Sequence, residues 1–483
     1  MSDERRQVRG ADYERAGSDY MDKRQLRAGA AGWVLLAGLG IAYVISGDYA
    51  GWNFGLAEGG WGGLLIATIL MAIMYSCMVL GLAELSSSLP VAGAGYGFAR
   101  RALGPLGGFA TGTAILIEYA VAPAAIVIFI GGYVESLDIL GIESGWPLYL
   151  AFYAVFVGIH LYGVGEALKL MFAITAIAVV GLVVFVIAMV PEFDASNLTD
   201  IAATDASGAS DFIPFGIAGI LSAFVYGIWF FLAIEGVPLA AEETRDPKKD
   251  MPKGIIAGML ALLVFAALIL TLAPGGAGSE ALSGSDNPLP DALGIAHGED
   301  AFVTEFVNYV GLTGLVASFF SIIYAYSRQL FALSRAGYLP RALSVTTGRK
   351  TPAIALIVPG AIGFLLAAIT EDGATMINIA VFGAAVSYVL MTLSHIVLRR
   401  KEPDLERPYR TPGGVATTGV AFVLAIAAVI ATFFVDEEAA GITAGVFLVA
   451  LAYFWFYSRH HLVADAPEEE FEAIERAEAE LAG

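Results

Sequence analysis

The chain has 483 residues, 58% of them hydrophobic and only 15% charged, and a water-soluble core does not use so many long apolar runs. The pattern is that of a polytopic membrane protein. A net charge of −20 argues against nucleic acid as a partner, and Cys77, the sole cysteine, excludes an intrachain disulfide. No His/Cys cluster points to a metal or a cofactor, and no nucleophile–base pair points to an enzyme. The first 28 residues are charged and the apolar run after them is long, so no cleavable signal peptide is expected.

Twelve apolar segments follow in order, near 29–56, 61–88, 105–134, 146–163, 166–190, 213–239, 254–273, 304–332, 352–370, 374–398, 415–435 and 439–458. Each is about as long as a helix that crosses ~30 Å of hydrocarbon, the fourth being short. With the N-terminus inside, all 26 Lys and Arg fall in cytoplasmic segments or at cytoplasmic helix ends. The outer loops 191–212, 274–303, 371–373 and 436–438 contain none. The bias places both termini in the cytoplasm of a cell-membrane protein.

The polar N-tail (1–28) is expected to be mobile. After the second segment, the glycines and prolines of 81–105 imply a tight turn, with Glu84 at a solvated helix end or a gate. Glu118 stands in the third segment near mid-bilayer, followed by Pro123, and an acid at that depth is a functional-site hypothesis. His160 and Glu166 flank a short turn and read as interfacial. The 191–212 loop is acidic and reads as solvated. Ser318, Ser321, Tyr324 and Ser327 make a polar stripe along the eighth segment, usable for interhelical hydrogen bonds or for an ion. Residues 333–344 suggest a short amphipathic helix. The last two segments (411–460) read as scaffold, and the acidic C-tail (461–483) as solvated.

Two segments do not read as continuous helices. The first is interrupted by Ser46-Gly47-Asp48-Tyr49-Ala50-Gly51-Trp52-Asn53, and the sixth by an acid, a glycine and a proline in Glu235-Gly236-Val237-Pro238. Irregular backbone at membrane depth is tolerated only where it lines a protein cavity. Each interruption opens a five-helix block, 29–192 and 212–400, and breaks at matching places in two halves point to a midplane transport site. A half-helix C-terminus attracts an ammonium and a half-helix N-terminus an anion.

The strings AELSSSLPVAGAGYGFARRALGP and IWFFLAIEGVPLAAEETRDPKKDMPKG resemble the helix 2–3 and helix 6 signatures of the amino acid–polyamine–organocation transporters. The resemblance implies an all-α fold of twelve transmembrane helices, ten of them in a 5+5 inverted repeat with helices 1 and 6 broken. VISGDYAGWNFGLAEGG, IEYAVAPAAIVIFIGGYVE and SRQLFALSRAGYLPRALS look like the bacterial ethanolamine permease branch. Amino-acid carriers of this kind place a Gly-Ser-Gly-like run at the helix 1 break to grip a carboxylate. This chain has Gly51-Trp52-Asn53 there, and Glu118 where relatives have a small pocket residue. Ala233 replaces a frequent glycine, so a smaller unwinding is expected in helix 6. The mid-helix 5 lysine of some proton-coupled relatives is replaced near Ala178.

The resemblance therefore implies secondary transport of a small protonated amine, ethanolamine first, by alternating access. Asp48, Glu118 and the carbonyls near Phe230 and Leu232 would hold the ammonium. Asn53 and the backbone near Gly51 would take the hydroxyl. Tyr119, Tyr226, Trp229 and Trp52 would shape and cover the site, partly by cation–π attraction. Glu235, protonated, would govern the movement of helix 6, and Ser318 and Ser321 lie where a sodium ion could couple; a proton or plain uniport are the other options. An amino-acid or polyamine permease of the same fold is the alternative, Asp48 and Glu118 supplying two acids for a diamine. A sensor would bring a soluble domain, and a channel a continuous polar stripe.

Overall fold

The computed structural model describes residues 6–8, 10–14, 18–24, 31–90, 93–138, 141–162, 164–464, 466 and 469. Part of the N-tail and most of the C-tail, including Arg5, Arg15 and Arg476, lie outside them. The described residues form a helical bundle with a small sheet at one end. Its helices are α1 (Trp33–Val44), α2 (Phe54–Ser88), α3 (Pro105–Ser136), α4 (Trp146–Tyr162), α5 (Val164–Met189) and α6 (Gly216–Trp229). They continue with α7 (Pro247–Ala277), α8 (Phe302–Arg335), α9 (Ala353–Thr370), α10 (Gly373–Lys401), α11 (Val415–Val435) and α12 (Glu437–Phe456). Ten stretches are long and apolar enough to cross a membrane, and α1 and α4 are shorter apolar helices. The all-α membrane fold expected from the sequence is the one observed.

The α2 stretch bends sharply at Gly60 (φ 64°, ψ 177°), so 54–59 completes the first crossing and 61–88 makes the second. A left-handed φ is cheap only for glycine. α3, α6, α8 and α10 form the centre: the apolar window of α3 is 83% buried, against 22% for α12. α2 packs on α6, α3 on both α8 and α10, α7 on α1, and α11 on α10. Large apolar side chains such as Ile187, Val449 and Phe456 stay exposed on outer helices, as the hydrocarbon of a bilayer permits.

Several loop and tail expectations change. The helix 2–3 connection is not only a turn: it contains a helix, Gly95–Leu103, entered through Ala94 at φ 42°. Residues 333–344 do not form an amphipathic helix. α8 runs on to Arg335, and a 3-10 turn, Arg341–Ser344, follows. His160 is buried, not interfacial, with Nε2 at 2.9 Å from the Phe320 carbonyl and its ring stacked on Phe320. The side chain of Glu166 is outside the described residues.

The N-tail is docked where it is described. Ala11–Glu14 pairs antiparallel with Arg6–Val8 and parallel with Leu462–Val463, tying both tails into one three-stranded sheet. Arg24 reaches Ser344 Oγ (2.8 Å) and the Arg341 carbonyl (2.9 Å). The C-tail is not wholly solvated either. Glu469 is fully buried and accepts bonds from Tyr13 (2.8 Å), Tyr96 (2.9 Å) and Arg100 (2.5 Å).

Glu84 is a buried ion-pair centre at the same basic end. Its Oε2 lies 2.5 Å from Arg399 Nη2 and accepts the Thr411 N–H at 2.7 Å, while Oε1 lies 2.9 Å from Arg407 Nε. His395 Nε2 is 3.3 Å away. The cluster fastens α2 to the end of α10 and to the segment before α11. Removing one partner of a buried pair costs about 3–5 kcal/mol, because the other charge stays behind without compensation. Glu84→Ala is therefore expected to lower the thermal unfolding midpoint in detergent clearly, and Glu84→Gln to recover only part through Thr411. An unchanged midpoint for Glu84→Ala would remove this role.

Candidate functional site

The first break is built from small residues. α1 ends at Val44, one more turn spans Ser46–Tyr49, Ala50 is extended, and Gly51 takes φ 90°. The second break follows Trp229. Ala233 takes the left-handed φ of 77°, and the chain resumes as a 3-10 segment, Ile234–Glu243. The smaller unwinding expected from the missing glycine is not seen: alanine adopts the left-handed turn itself, a strained choice for a residue with a Cβ.

The two breaks touch, backbone to backbone. A Cβ on Gly47 would collide with the Trp229 carbonyl oxygen, and one on Gly51 would sit 2.6 Å from Trp229 Nε1 and 2.8 Å from Ile377. The Trp229 indole donates to the Ala50 carbonyl at 2.9 Å. Trp52 stacks on Phe230 with ring centroids 5.7 Å apart, and its own Nε1 finds no partner. Asn53 is fully engaged: its Oδ1 accepts the Gly51 N–H (3.1 Å), and its amide donates to the Leu282 (2.7 Å) and Ser285 (2.8 Å) carbonyls. Tyr226 packs on Phe54, and Leu232 is buried in the second break.

Beside the second break lies a carboxyl cluster. Glu235 Oε1 accepts from Tyr119 (2.9 Å) and Oε2 from Tyr388 (3.0 Å), and Tyr388 accepts from Tyr75 (2.8 Å). Glu118 lies against Glu235 and Tyr388, close enough to share a proton with them, yet neither of its oxygens makes a hydrogen bond of good geometry. Asp48 belongs to the first break, in the turn Ser46–Tyr49. Glu118 interacts with the charge of Glu235, while Asp48 has a charge interaction with its neighbour Tyr49. Both Asp48 oxygens are buried without a donor. A buried carboxyl with no donor is costly unless a proton or a cation meets it.

The helix 8 serines serve the first break. Ser318 donates to the Tyr43 carbonyl at 2.7 Å and shares a 2.8 Å bond with Ser46, whereas Ser321 turns back on its own helix to Ala317 at 2.5 Å. Near Ala178, Tyr49 fills the space against α5. Its hydroxyl donates to the Ala178 carbonyl at 2.7 Å, and its ring lies over Gly311 and Gly314 of α8. Of the candidate binding and coupling residues, none with a side chain is more than 3% exposed, so the site is closed at both ends.

Tyr388, Tyr75, Glu243 and Arg328 were not anticipated. The first two are lone tyrosines in apolar helices and carry no local signal. Glu243 and Arg328 were legible only as charges near helix ends, but the structure buries them as a pair at 2.8 Å, with Tyr324 donating to Glu243 at 2.8 Å. Among the described residues, no group of His, Cys, Asp and Glu is placed to hold a metal ion.

The contact between the breaks is testable with one methyl group. Gly47→Ala forces a Cβ against a main-chain carbonyl, and overpacking of this kind costs about 1–3 kcal/mol. Substrate uptake should fall by about tenfold or more with the protein still present in the membrane fraction. Wild-type uptake would mean that the breaks need not close on each other.

The sequence model for "Amino acid permease" matches residues 34–467. An uncharacterized transporter of Rhizobium meliloti is 29% identical over 432 residues, covering 88% of this chain and 90% of that protein. A branched-chain amino acid permease of Bacillus subtilis is 29% identical over 417 residues, covering 83% and 86%. A methylthioribose transporter of the same organism is 27% identical over 391 residues, covering 78% and 80%. With a match that spans nearly the whole of it, the chain belongs to the amino acid permease family of multi-pass membrane transporters and is not an enzyme.

Proposed function

We propose that this protein is a secondary transporter that imports a small solute with a protonated amine, of the amino-acid class, through the cell membrane by alternating access. The observation that carries the reading is Glu118: a fully buried carboxyl without a well-formed hydrogen bond, paired with a second acid beside two broken helices that close on each other. A substrate ammonium supplies the missing donor. Two neighbouring carboxyls in a low dielectric do not both stay ionised without a counter-charge, so the Glu118–Glu235 pair takes either the ammonium or a proton. Loading the pair with one and releasing the other is a means of proton coupling. The hydroxyls of Ser46 and Ser318 already satisfy each other and the Tyr43 carbonyl, which leaves sodium the weaker choice. Opening follows from rocking of helices 1, 2, 6 and 7 against the rest. The distribution of Lys and Arg puts both termini in the cytoplasm.

Two substrates are in play. Family membership and the name of the Bacillus subtilis branched-chain permease favour an amino acid. A specific observation favours ethanolamine as the second reading. The backbone N–H of Gly51, which a substrate carboxylate would need, is held by Asn53 Oδ1, and Trp52 fills the adjoining space against Phe230. An amine without a carboxylate suits that niche.

The test is uptake into proteoliposomes with labelled ethanolamine, alanine, valine and putrescine under imposed proton, sodium and voltage gradients. Valine or alanine uptake supports the amino-acid reading; ethanolamine uptake without competition from either supports the second. Glu118→Gln is expected to reduce uptake about 30-fold or more, since truncating a buried charge pair costs at least about 2 kcal/mol. Uptake of the substrate by Glu118→Gln at the wild-type rate would end the ammonium assignment, and no uptake of any of the four would end the transport reading for this substrate class.

A further inference from the structure

On the far side of α3 and α10 from the carboxyl cluster, the bundle leaves a groove of about 580 Å³. α3, α10, α11 and α12 all contribute to it, and every residue that lines it is apolar, among them Leu106, Val389, Val429 and Phe447. Its rim is open to the surroundings, since Leu106 is 44% and Ile430 53% exposed. The lining comes from Leu103 and the first turns of α3 and from the middle of α10, α11 and α12, so the groove runs from the basic end of the bundle toward its mid-depth.

That end carries cations. Lys401, the last residue of α10, donates to the carbonyl of Ala102, which adjoins the lining residue Leu103, at 3.3 Å. Lys401 has no carboxylate partner among the described residues, and neither does its exposed neighbour Arg400. Arg101 beside them is already paired with Glu402 at 2.7 Å. A wholly apolar groove that ends at a lysine without a carboxylate partner, with an exposed arginine next to it in the chain, matches a molecule with a hydrocarbon chain and an anionic head. The volume is that of a pocket for one small molecule, far short of a helix from a second copy.

We propose that this groove binds an anionic phospholipid, one acyl chain lying between α3–α10 and α11–α12 and its phosphate at Arg400 and Lys401. The bound chain fills the void behind Tyr388 and couples the peripheral pair α11–α12 to the two helices that carry Glu118, Tyr119 and Tyr388. Ligand bound only by the folded state raises its stability in proportion to occupancy.

The experiment titrates the purified protein in detergent with dioleoylphosphatidylglycerol or dioleoylphosphatidylcholine and reads the thermal midpoint, with native mass spectrometry on the same samples. Two variants accompany it: Val429→Trp, which fills the groove from α11, and the double variant Arg400→Glu/Lys401→Glu, which reverses the charge at its mouth. Phosphatidylglycerol is expected to raise the wild-type midpoint by several degrees and to leave one retained lipid mass; phosphatidylcholine should do neither. Both effects should vanish in both variants. Retention of the lipid by Val429→Trp would place it elsewhere and overturn the proposal, as would equal effects of the two lipids. Loss of a wild-type dimer in Val429→Trp would also overturn it, in favour of a second copy as the occupant.

Discussion

Everything in this structure answers to one constraint: a main chain that stops being helical inside hydrocarbon must find its hydrogen bonds within the protein. Two helices stop, and each helps to satisfy the other. The Trp229 indole closes the Ala50 carbonyl, Ser318 closes the Tyr43 carbonyl, and Asn53 closes the Gly51 N–H. Tyr133 donates to the Tyr49 carbonyl at 3.0 Å. Glycine at 47 and 51 is what allows the breaks to come close enough for this. The broken backbone is therefore braced, and the buried side-chain groups without well-formed hydrogen bonds among the described residues include, near the breaks, the carboxyls of Asp48 and Glu118, the Tyr43 hydroxyl and the Trp52 indole. Those are the groups available to a solute.

The two orphaned acids differ in what surrounds them. Glu118 has an acid neighbour and, one step further, a chain of phenols that runs from Glu235 through Tyr388 to Tyr75. Such a chain can adjust to a change of charge by turning hydroxyls, without moving helices. Asp48 makes no hydrogen bond and sits beside Tyr49, whose ring and hydroxyl are locked against α5 and α8. Glu118 is thus built into a responsive network, and Asp48 into a rigid one. In that setting, Tyr49 does with a hydrogen bond to Ala178 what a charged side chain on α5 could do with an ion pair: it ties the first break to α5.

The span count, the two breaks and the acids were legible in the sequence because each violates or follows a strong rule of hydrocarbon solvation. Twenty apolar residues in a row, or a lone Glu118 among them, have few alternative meanings. The pairing of groups was not legible. Nothing local in VSYVLMTLSH marks Tyr388 as a partner of Glu235, since the bond spans 153 residues. The tails misled for a related reason. Arg100 and Glu469 read as solvated charges one at a time, and only the fold brings them together with Tyr13 and Tyr96 in a buried cluster. The left-handed Ala233 shows the opposite error, in which residue preference was given too much weight. Tertiary packing around the break outweighs the strain of one alanine.

The closures at the two ends of the site are not of equal strength. On the basic side, Ala31 bonds to the Glu243 carbonyl (3.0 Å) and receives the Arg245 N–H (2.9 Å), so the start of the first helix is stitched to the segment after the second break. The same segment is pinned to α8 by Glu243–Arg328 and by Glu242–Arg335, each at 2.8 Å. On the opposite side the ties are neutral: Asn53 to the 282–285 turn, and Trp61 to the Leu270 carbonyl at 2.8 Å. A neutral hydrogen bond contributes about 1 kcal/mol net, whereas separating a buried ion pair costs several. The observed conformer is therefore nearer to opening on the side away from the charges. To open on the basic side, the protein must compensate the separated Glu243 and Arg328. Glu243 and Glu235 lie on the same short 3-10 segment, so fewer than three turns of backbone separate the carboxyl cluster from that ion pair.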